Sequence, residues 1–408
     1  MKDEKKAPKL RFKGFTDDWE QCKLGDVCEE VSGNNGNVKG LPILTISAAN
    51  GWMNQKDRFS QVIAGNELKK YTLLEKGHLA YNHGNSKLAK YGTVFVQNLY
   101  DQALVPRVYH SFKMKTENNP YYVEYYFATK KLDRELARLV TSGARMDGLL
   151  NINKKDFFKI KFEVPTPVEQ SLISTILQKL DQTITLHEEK KHQLERLKSA
   201  LLQKMFADKS GYPAVRFEGF SDEWEQCKLS SMTQYKNGKG HEDKQTDSGD
   251  FELVNLNSIS IDGGFKHSGK FVNESDDEIL YKNDLVMILS DVGHGDLLGR
   301  VALIPDDNKF ILNQRVALLR PNKTVNPEFL FFYINSHQKY FKSQGAGMSQ
   351  LNISKKSVET FSSLVPNIDE QKKISLFLMK LDSLITLHDQ KLSLLKRVKQ
   401  TLLQKMFI

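Results

Sequence analysis

The sequence predicts an α+β protein built twice in tandem: two similar α+β domains separated by two long helices that form an antiparallel coiled coil, pseudo-two-fold and nearly cyclic. Three observations carry this expectation. Residues 8–24 read PKLRFKGFTDDWEQCKL and residues 213–229 read PAVRFEGFSDEWEQCKL, identical at 12 of 17 positions. Downstream, KLDQTITLH at 179–187 returns as KLDSLITLH at 380–388, and LLQKMF at 201–206 returns intact at 402–407. Finally, each repeat closes on a long apolar seam, whereas the sequence between the matched frames has diverged. A repeat of about 200 residues divides the chain more sensibly than length alone would.

Each copy opens on the RF·GF·D·WEQCKL segment, whose Trp19 and Trp224 read as core anchors because the rest of the segment repeats with them. About 140 residues rich in β and loop signals follow. Runs of β-branched and aromatic residues predict strands over 41–47, 92–97 and 105–114 in the first copy. In the second they predict strands over 251–259, 284–289, 299–304 and 315–320. Asn119-Pro120 and Asn326-Pro327 each offer an N-cap followed by proline at the first helical position. They open the helical runs YYVEYYFATKKLDRELARLV and EFLFFYINSHQKYFKSQ.

The closing helices have the clearest pattern. Steps of four and three link Ile173, Leu177, Leu180, Ile184, His187, Lys191, Leu194, Lys198, Leu201 and Met205. The same steps link Ile374, Leu378, Leu381, Ile385, His388, Leu392, Leu395, Lys399, Leu402 and Met406. A heptad seam of this length is the mark of a coiled coil. Pro165, Pro167 and Pro366 keep either helix from starting much earlier. His187 and His388 read as polar breaks that set register.

Connection lengths turn these elements into a geometry. A helix of ~38 residues is about 57 Å long, and the linker at 207–212 reaches only ~20 Å. The second domain therefore begins near the far end of the first helix, and the second helix can pack on the first only by running back. The expected boundaries are 1–168 for the first domain, 169–207 for its helix, 208–366 for the second domain and 367–408 for the last helix.

Composition narrows the function classes. A net charge of +9, from 59 basic and 50 acidic residues, tilts the chain mildly towards a polyanionic partner. No apolar run approaches the ~20 residues that span a bilayer. The charged N-terminus MKDEKKAPKL lacks the apolar core of a signal peptide, so a cytoplasmic, reducing location without membrane contact is expected. Three cysteines are too few and too scattered for metal ligation.

The ordered combination of these features resembles the specificity subunit of type I restriction-modification systems. The similarity rests on RF·GF·D·WE··KL, on the VP···EQ turn into each helix (Val164-Pro165…Glu169-Gln170 and Val365-Pro366…Glu370-Gln371), and on the terminal LLQKMF. It spans nearly the whole chain. The resemblance implies two target-recognition domains, each reading one half of a split target on double-stranded DNA. The helices would act as spacer and as dock for two methyltransferase (modification) subunits, with restriction subunits completing the nuclease. It further implies a non-catalytic chain that carries no cofactor, its partners using S-adenosylmethionine, ATP and Mg2+.

DNA recognition needs cations for phosphates and hydrogen-bonding side chains for base edges. Matching loops offer both: Asn82, His83, Asn85, Ser86, Lys87 and Lys90 in the first copy, and Ser290, Asp291, His294 and Arg300 in the second. A second pair of segments holds Arg145 with Lys154 and Lys155, and Lys355 with Lys356. Lys236 and Lys239 flank a glycine-rich loop near the start of the second domain. The other reading of these segments is a set of solvated turns. For partner packing the candidates are Ile173, Leu177, Leu180, Ile184, Leu194 and Leu201 with Ile374, Leu378, Leu381, Ile385, Leu395 and Leu402.

Missing motifs exclude chemistry in the chain itself. There is no GxxxxGK[ST] phosphate loop and no [DN]PP[YF] tetrapeptide of adenine methyltransferases. A self-contained methyltransferase or nuclease, and a coiled-coil scaffold that binds only proteins, are the competing classes. Methyl transfer by the purified chain alone would favour the first; absence of salt-sensitive duplex binding would favour the second.

Overall fold

The structure, a computed structural model, describes residues 7–33, 38, 40–58, 65–84, 86–115, 117–141, 150–208, 210–273, 276–292 and 295–408. The chain divides into two compact units, one of residues up to His187 together with Lys391–Ile408, the other Glu188–Gln390. Both mix strands and helices, as an α+β fold requires.

In the first unit, strand Glu20–Lys23 pairs antiparallel with Lys161–Val164, Glu20 opposite Val164, so the opening segment clasps the far end of the insert. A four-stranded antiparallel sheet follows in the order Cys28–Glu30, His110–Met114, Leu79–Asn82, Thr93–Val96. Helix Pro120–Ala128 begins where Asn119 accepts the N–H of Tyr121 and where proline at the first position forfeits a donor that would be unpaired anyway. Its Tyr122 and Tyr126 are buried with Tyr81, Phe112, Phe157 and Phe162. Trp19 stands edge-on to Tyr122, ring centroids 6.0 Å apart.

The second unit repeats this plan. Glu225–Lys228 pairs with Ser362–Val365 in the same antiparallel sense. The sheet Thr233–Asn237, Val316–Pro321, Leu285–Ile288, Val301–Leu303 has the same strand order as its counterpart. Trp224 meets Phe329 edge-on at 6.1 Å. A further sheet, Phe271–Val272, Phe251–Val254, Phe310–Leu312, Ile279–Leu280, includes a parallel pair between Phe251–Val254 and Phe310–Leu312.

Four expected elements are interrupted, one of them the helical run after Asn326, which divides at His337 into Pro327–Ser336 and Gln338–Ser343. The strand expected over 105–114 is two, Gln102–Val105 and His110–Met114. Pro106 brings no N–H to a ladder, and its carbonyl instead closes a turn with Tyr109 N–H at 3.1 Å. The strand expected over 251–259 stops at Val254, because the Asn255 side chain captures the N–H of Asn257 and caps the turn Leu256–Ser258. The helical run after Asn119 breaks at Lys130, whose φ of 62° is left-handed, and resumes as Asp133–Leu139.

The long helices are Pro167–Lys204 and Ile368–Lys405, each of 38 residues. Their starts are fixed by the repeated Glu-Gln pair. Glu169 and Glu370, both fully buried, take two hydrogen bonds each from Arg11 and Arg216 of the opening segments, at 2.7–2.8 Å. Gln170 and Gln371 donate back to the carbonyls of Pro165 and Pro366 and accept the N–H of Asn119 and Asn326. The repeated motifs RF and EQ are thus two ends of one ion pair and one backbone cap.

The buried apolar side chains of both helices fall on the seam, Ile173, Leu177, Ile184 and Leu194, then Ile374, Leu378, Leu381 and Leu392, and Met205 and Met406 continue it just past the helix ends. Leu180, Leu201, Ile385, Leu395 and Leu402 are half-buried. Within the second unit Lys191 pairs with Asp389 and Lys198 with Asp382, each at 2.5 Å, so ascending one helix descends the other. Within the first unit Lys399 meets Asp181 at 2.5 Å. The helix ends also repeat: Val215 N–H donates to the Lys204 carbonyl and Leu10 N–H to the Lys405 carbonyl, at 2.9 and 2.8 Å. Phe206 lies edge-on to Phe329 in one core, and Phe407 stacks on Tyr122 in the other.

Candidate nucleic-acid interface

Each domain brings its two candidate segments together at the end of the central sheet. In the second, strand Leu285–Ile288 continues through Leu289 into Ser290–Val292, which pairs antiparallel with Gln350–Asn352. Ser290 donates to the side-chain oxygen of Asn352 at 2.6 Å, and Gln350 donates to Ser290. The connecting loop turns at Gly347, with φ of 135° and no room for a Cβ, which would come within 2.0 Å of the Gln350 carbonyl. Met348 at its tip is wholly exposed. Ser354 then caps the short helix Lys355–Glu359 and sets Lys355 and Lys356 at the surface.

In the first domain, the segment after Leu79–Asn82 meets residues 150–152. Leu150 N–H donates to the His83 carbonyl at 3.0 Å, and the His83 ring is 3.2 Å from the Leu150 carbonyl. His110 reaches the Ile152 carbonyl, and the two imidazoles stand 4.0 Å apart. Asn153 caps the helix Lys154–Phe157 as Ser354 does its counterpart.

Exposure sorts the candidates. Ser86, Lys87, Lys90, Lys155, Lys236, Lys239, Lys355 and Lys356 are exposed, and Lys154 is half-buried against Glu30 at 2.7 Å. Five others serve the framework. His83 and Ser290 are buried. Asn82 donates to the Ile46 carbonyl and accepts Gly84 N–H. Arg300 is half-buried, hydrogen-bonds the Asn335 carbonyl, and has its pKa lowered by burial. Asp291 accepts the N–H of Leu297 and closes its own loop. Asn85, Arg145 and His294 lie outside the described residues.

Residue-type reasoning overlooked the acids that hold these cations. Asp277 accepts from Lys239 at 2.5 Å and Glu278 from Lys236 at 2.8 Å. Asp296 accepts from Lys342 at 2.6 Å, and Glu30 from Lys154. The run Asp276-Asp277-Glu278 is visible in the sequence, but its partners lie some 40 residues away and no local pattern links them. Gln350 and Asn352 were missed for the same reason: only strand pairing brings them beside Ser290.

Among the described residues no group of three His, Cys, Asp or Glu side chains is arranged to hold a metal ion. No helix among them is long and apolar enough to cross a membrane.

Comparison with known proteins agrees with the duplicated fold. The family described as Type I restriction modification DNA specificity domain matches residues 16–196 and again 221–397. The type I restriction enzyme MjaVIII specificity subunit of Methanocaldococcus jannaschii is 22% identical over 294 residues, 68% of each chain. The putative type I restriction enzyme MjaX specificity subunit of the same organism is 22% identical across 98% of this chain and 95% of its own. The crystal structure of a type I restriction-modification S subunit from M. genitalium has a similar fold, with a TM-score of 0.62 at 16% identity over 98% of this chain and 99% of that one.

Proposed function

Because the chain belongs to the type I restriction-modification DNA specificity family, we propose that residues 1–168 and 208–366 are target-recognition domains that each read one half of a bipartite site on double-stranded DNA. The chain is the specificity subunit of such a system and is non-catalytic, the methyltransferase and nuclease activities residing in other subunits of a multisubunit complex. The helices over 169–207 and 367–408 pair as an antiparallel coiled coil that sets the number of unread base pairs. They dock two methyltransferase subunits, which bring S-adenosylmethionine, while restriction subunits bring ATP and Mg2+ chemistry.

The observation that carries this reading is the convergence of two unlike loops at one place in two like domains. The central four-stranded sheets share one strand order, and the side chains at the loop pair differ. A surface built this way can hold DNA in one pose and read different bases with it. Lys87, Lys90, Lys154, Lys155, Lys236, Lys239, Lys355 and Lys356 supply phosphate contacts, and the loops at 82–90 and 290–296 with strand Gln350–Asn352 supply the reading edge. Asn85 and His294 belong to the same loops by sequence, and Arg145 to the segment that precedes Lys154 and Lys155. Support for docking comes from apolar side chains left exposed off the seam, among them Leu172, Leu186, Leu376, Leu384 and Leu394.

Long-read mapping of methylated adenines, in cells carrying this chain with its methyltransferase subunits, tests the proposal. Exchanging residues 82–90 for those of a relative should change one half of the mapped target and leave the other half and the spacer intact. An unchanged target would remove that loop from the reading surface. Alanine at Lys154 and Lys155 should weaken all duplexes alike and reduce the salt slope by about two.

A further inference from the structure

We infer that Asp277 and Glu278 act as an internal stand-in for DNA phosphates, holding Lys236 and Lys239 until target DNA displaces them and so suppressing binding to duplexes that lack the target. The inference rests on the proposed DNA-reading role of the second domain.

The geometry has a particular form. Among the described residues, each carboxylate meets two partners of different kinds. Glu278 is held by Arg320, three-quarters buried and tied also to Asp284 at 2.8 Å, and by Lys236, whose side chain is half exposed. Asp277 is held by the buried His241 ring at 2.6 Å and by Lys239, whose side chain is 70% exposed. One partner of each acid is therefore fixed and inward, and the other lies at the surface on a flexible stem. When either lysine leaves, its carboxylate keeps a hydrogen bond from the fixed partner and is not stranded. A partly buried carboxylate robbed of all partners would resist such a release strongly; here the release is cheap.

Glu278 is also in the right charge state to compete. Hydrogen bonds from Lys236 and then Arg320 hold Glu278 below the usual carboxylate range, and the bond to Asp277 raises Lys239 above the usual lysine value. The loop between the two lysines is closely built: a Cβ at Gly238 would come within 1.9 Å of the Asn313 carbonyl, and His241 N–H donates to the Asn313 side chain. The lysines thus start from a defined place beside their acids. A single phosphate contact competes poorly against a carboxylate already in place. The register of contacts that a matching half-site adds tips the exchange.

The test uses the complete complex with its methyltransferase subunits, bound to a target duplex and to a scrambled duplex across a salt series. Asp277→Asn with Glu278→Gln should bind the scrambled duplex about tenfold more tightly at low salt, with a salt slope steeper by about two. Target binding should change less, so discrimination falls. Lys236→Gln with Lys239→Gln should weaken the target duplex and leave the scrambled one little changed. Scrambled-duplex binding that stays the same or weakens in the acid variant overturns the inference. Lysine variants that leave both duplexes unaffected overturn it too, while target discrimination by the unaltered complex keeps the domain reading intact. No discrimination by the unaltered complex would sink that reading itself. Should the double acid variant fail to fold, Asp277→Asn alone retains an oxygen for the His241 ring and must give about half the slope change; none overturns the inference.

Discussion

Arg216 and Glu370 join the opening segment of the second domain to the start of its helix through two parallel hydrogen bonds, with the carboxylate out of contact with water. Removing one partner of such a pair leaves a buried charge unanswered. Arg216→Ala is expected to cost about 3–5 kcal/mol, read from urea unfolding. Arg216→Lys should recover only part, since an ammonium cannot match the fork. Glu124 gives a different dependence. Burial and then the nearby Asp181 push its carboxyl up to about 7, opposed by the Val96 N–H it accepts at 2.6 Å. The folded state then binds this proton more tightly than the unfolded chain does. Stability from this group is full below about pH 4.5 and is lost as pH rises through 7. Glu124→Gln should flatten that slope and raise stability above pH 7 by roughly 2 kcal/mol, measured by melts at pH 5 and pH 8. At this scale the site was half legible. Lysines at Lys87, Lys236 and Lys355 lie exposed where a basic residue in a polar loop belongs. His83, Ser290 and Arg300 have equally polar side chains, yet buried backbone carbonyls and a neighbouring strand claim them, and such demands leave no local signature.

Elements were read best where periodicity was long. The steps of four and three along Pro167–Lys204 and Ile368–Lys405 marked the side chains that are buried, because a helix repeats its faces regardless of what packs on them. Leu378 and Leu376 make the contrast measurable. Leu378 is fully buried on the seam and Leu376, two residues earlier, is exposed. Leu378→Ala should cost about 2–5 kcal/mol, whereas Leu376→Ala should stay within about 0.5 kcal/mol in isolation and weaken methyltransferase binding in the complex. Pull-down and urea melts on the two variants separate the effects. Short strands were read less well. Pro106 and Asn255 ended two of them through a missing donor and a side-chain cap, and the hairpin Leu44–Ser47 with Gly51–Asn54 fell partly outside the expected set. Four residues are too few for alternation to outvote one turn-former.

For the whole molecule, the repeated junctions matter most. The contact of Leu10 with Lys405 in the first unit has the form of the contact of Val215 with Lys204 in the second. Chain continuity lies between the members of one pair and is missing between the members of the other. Joining residue 408 to the N-terminus and reopening the chain near Asp208 is therefore expected to preserve folding and the methylated target, which mapping in cells would reveal. Loss of assembly would count against the cyclic arrangement.

Met406 and Phe407 enter the first core as Met205 and Phe206 enter the second, and the two plugs are drawn from the same six letters. A chain halted after Phe206 would keep one recognition domain and one helix, and it would own a plug chemically matched to the socket it lacks a filler for. Two such half-chains could each lend the other its tail. On the proposed reading of one half-site by each domain, the target would then become a palindrome, its two arms read by identical surfaces.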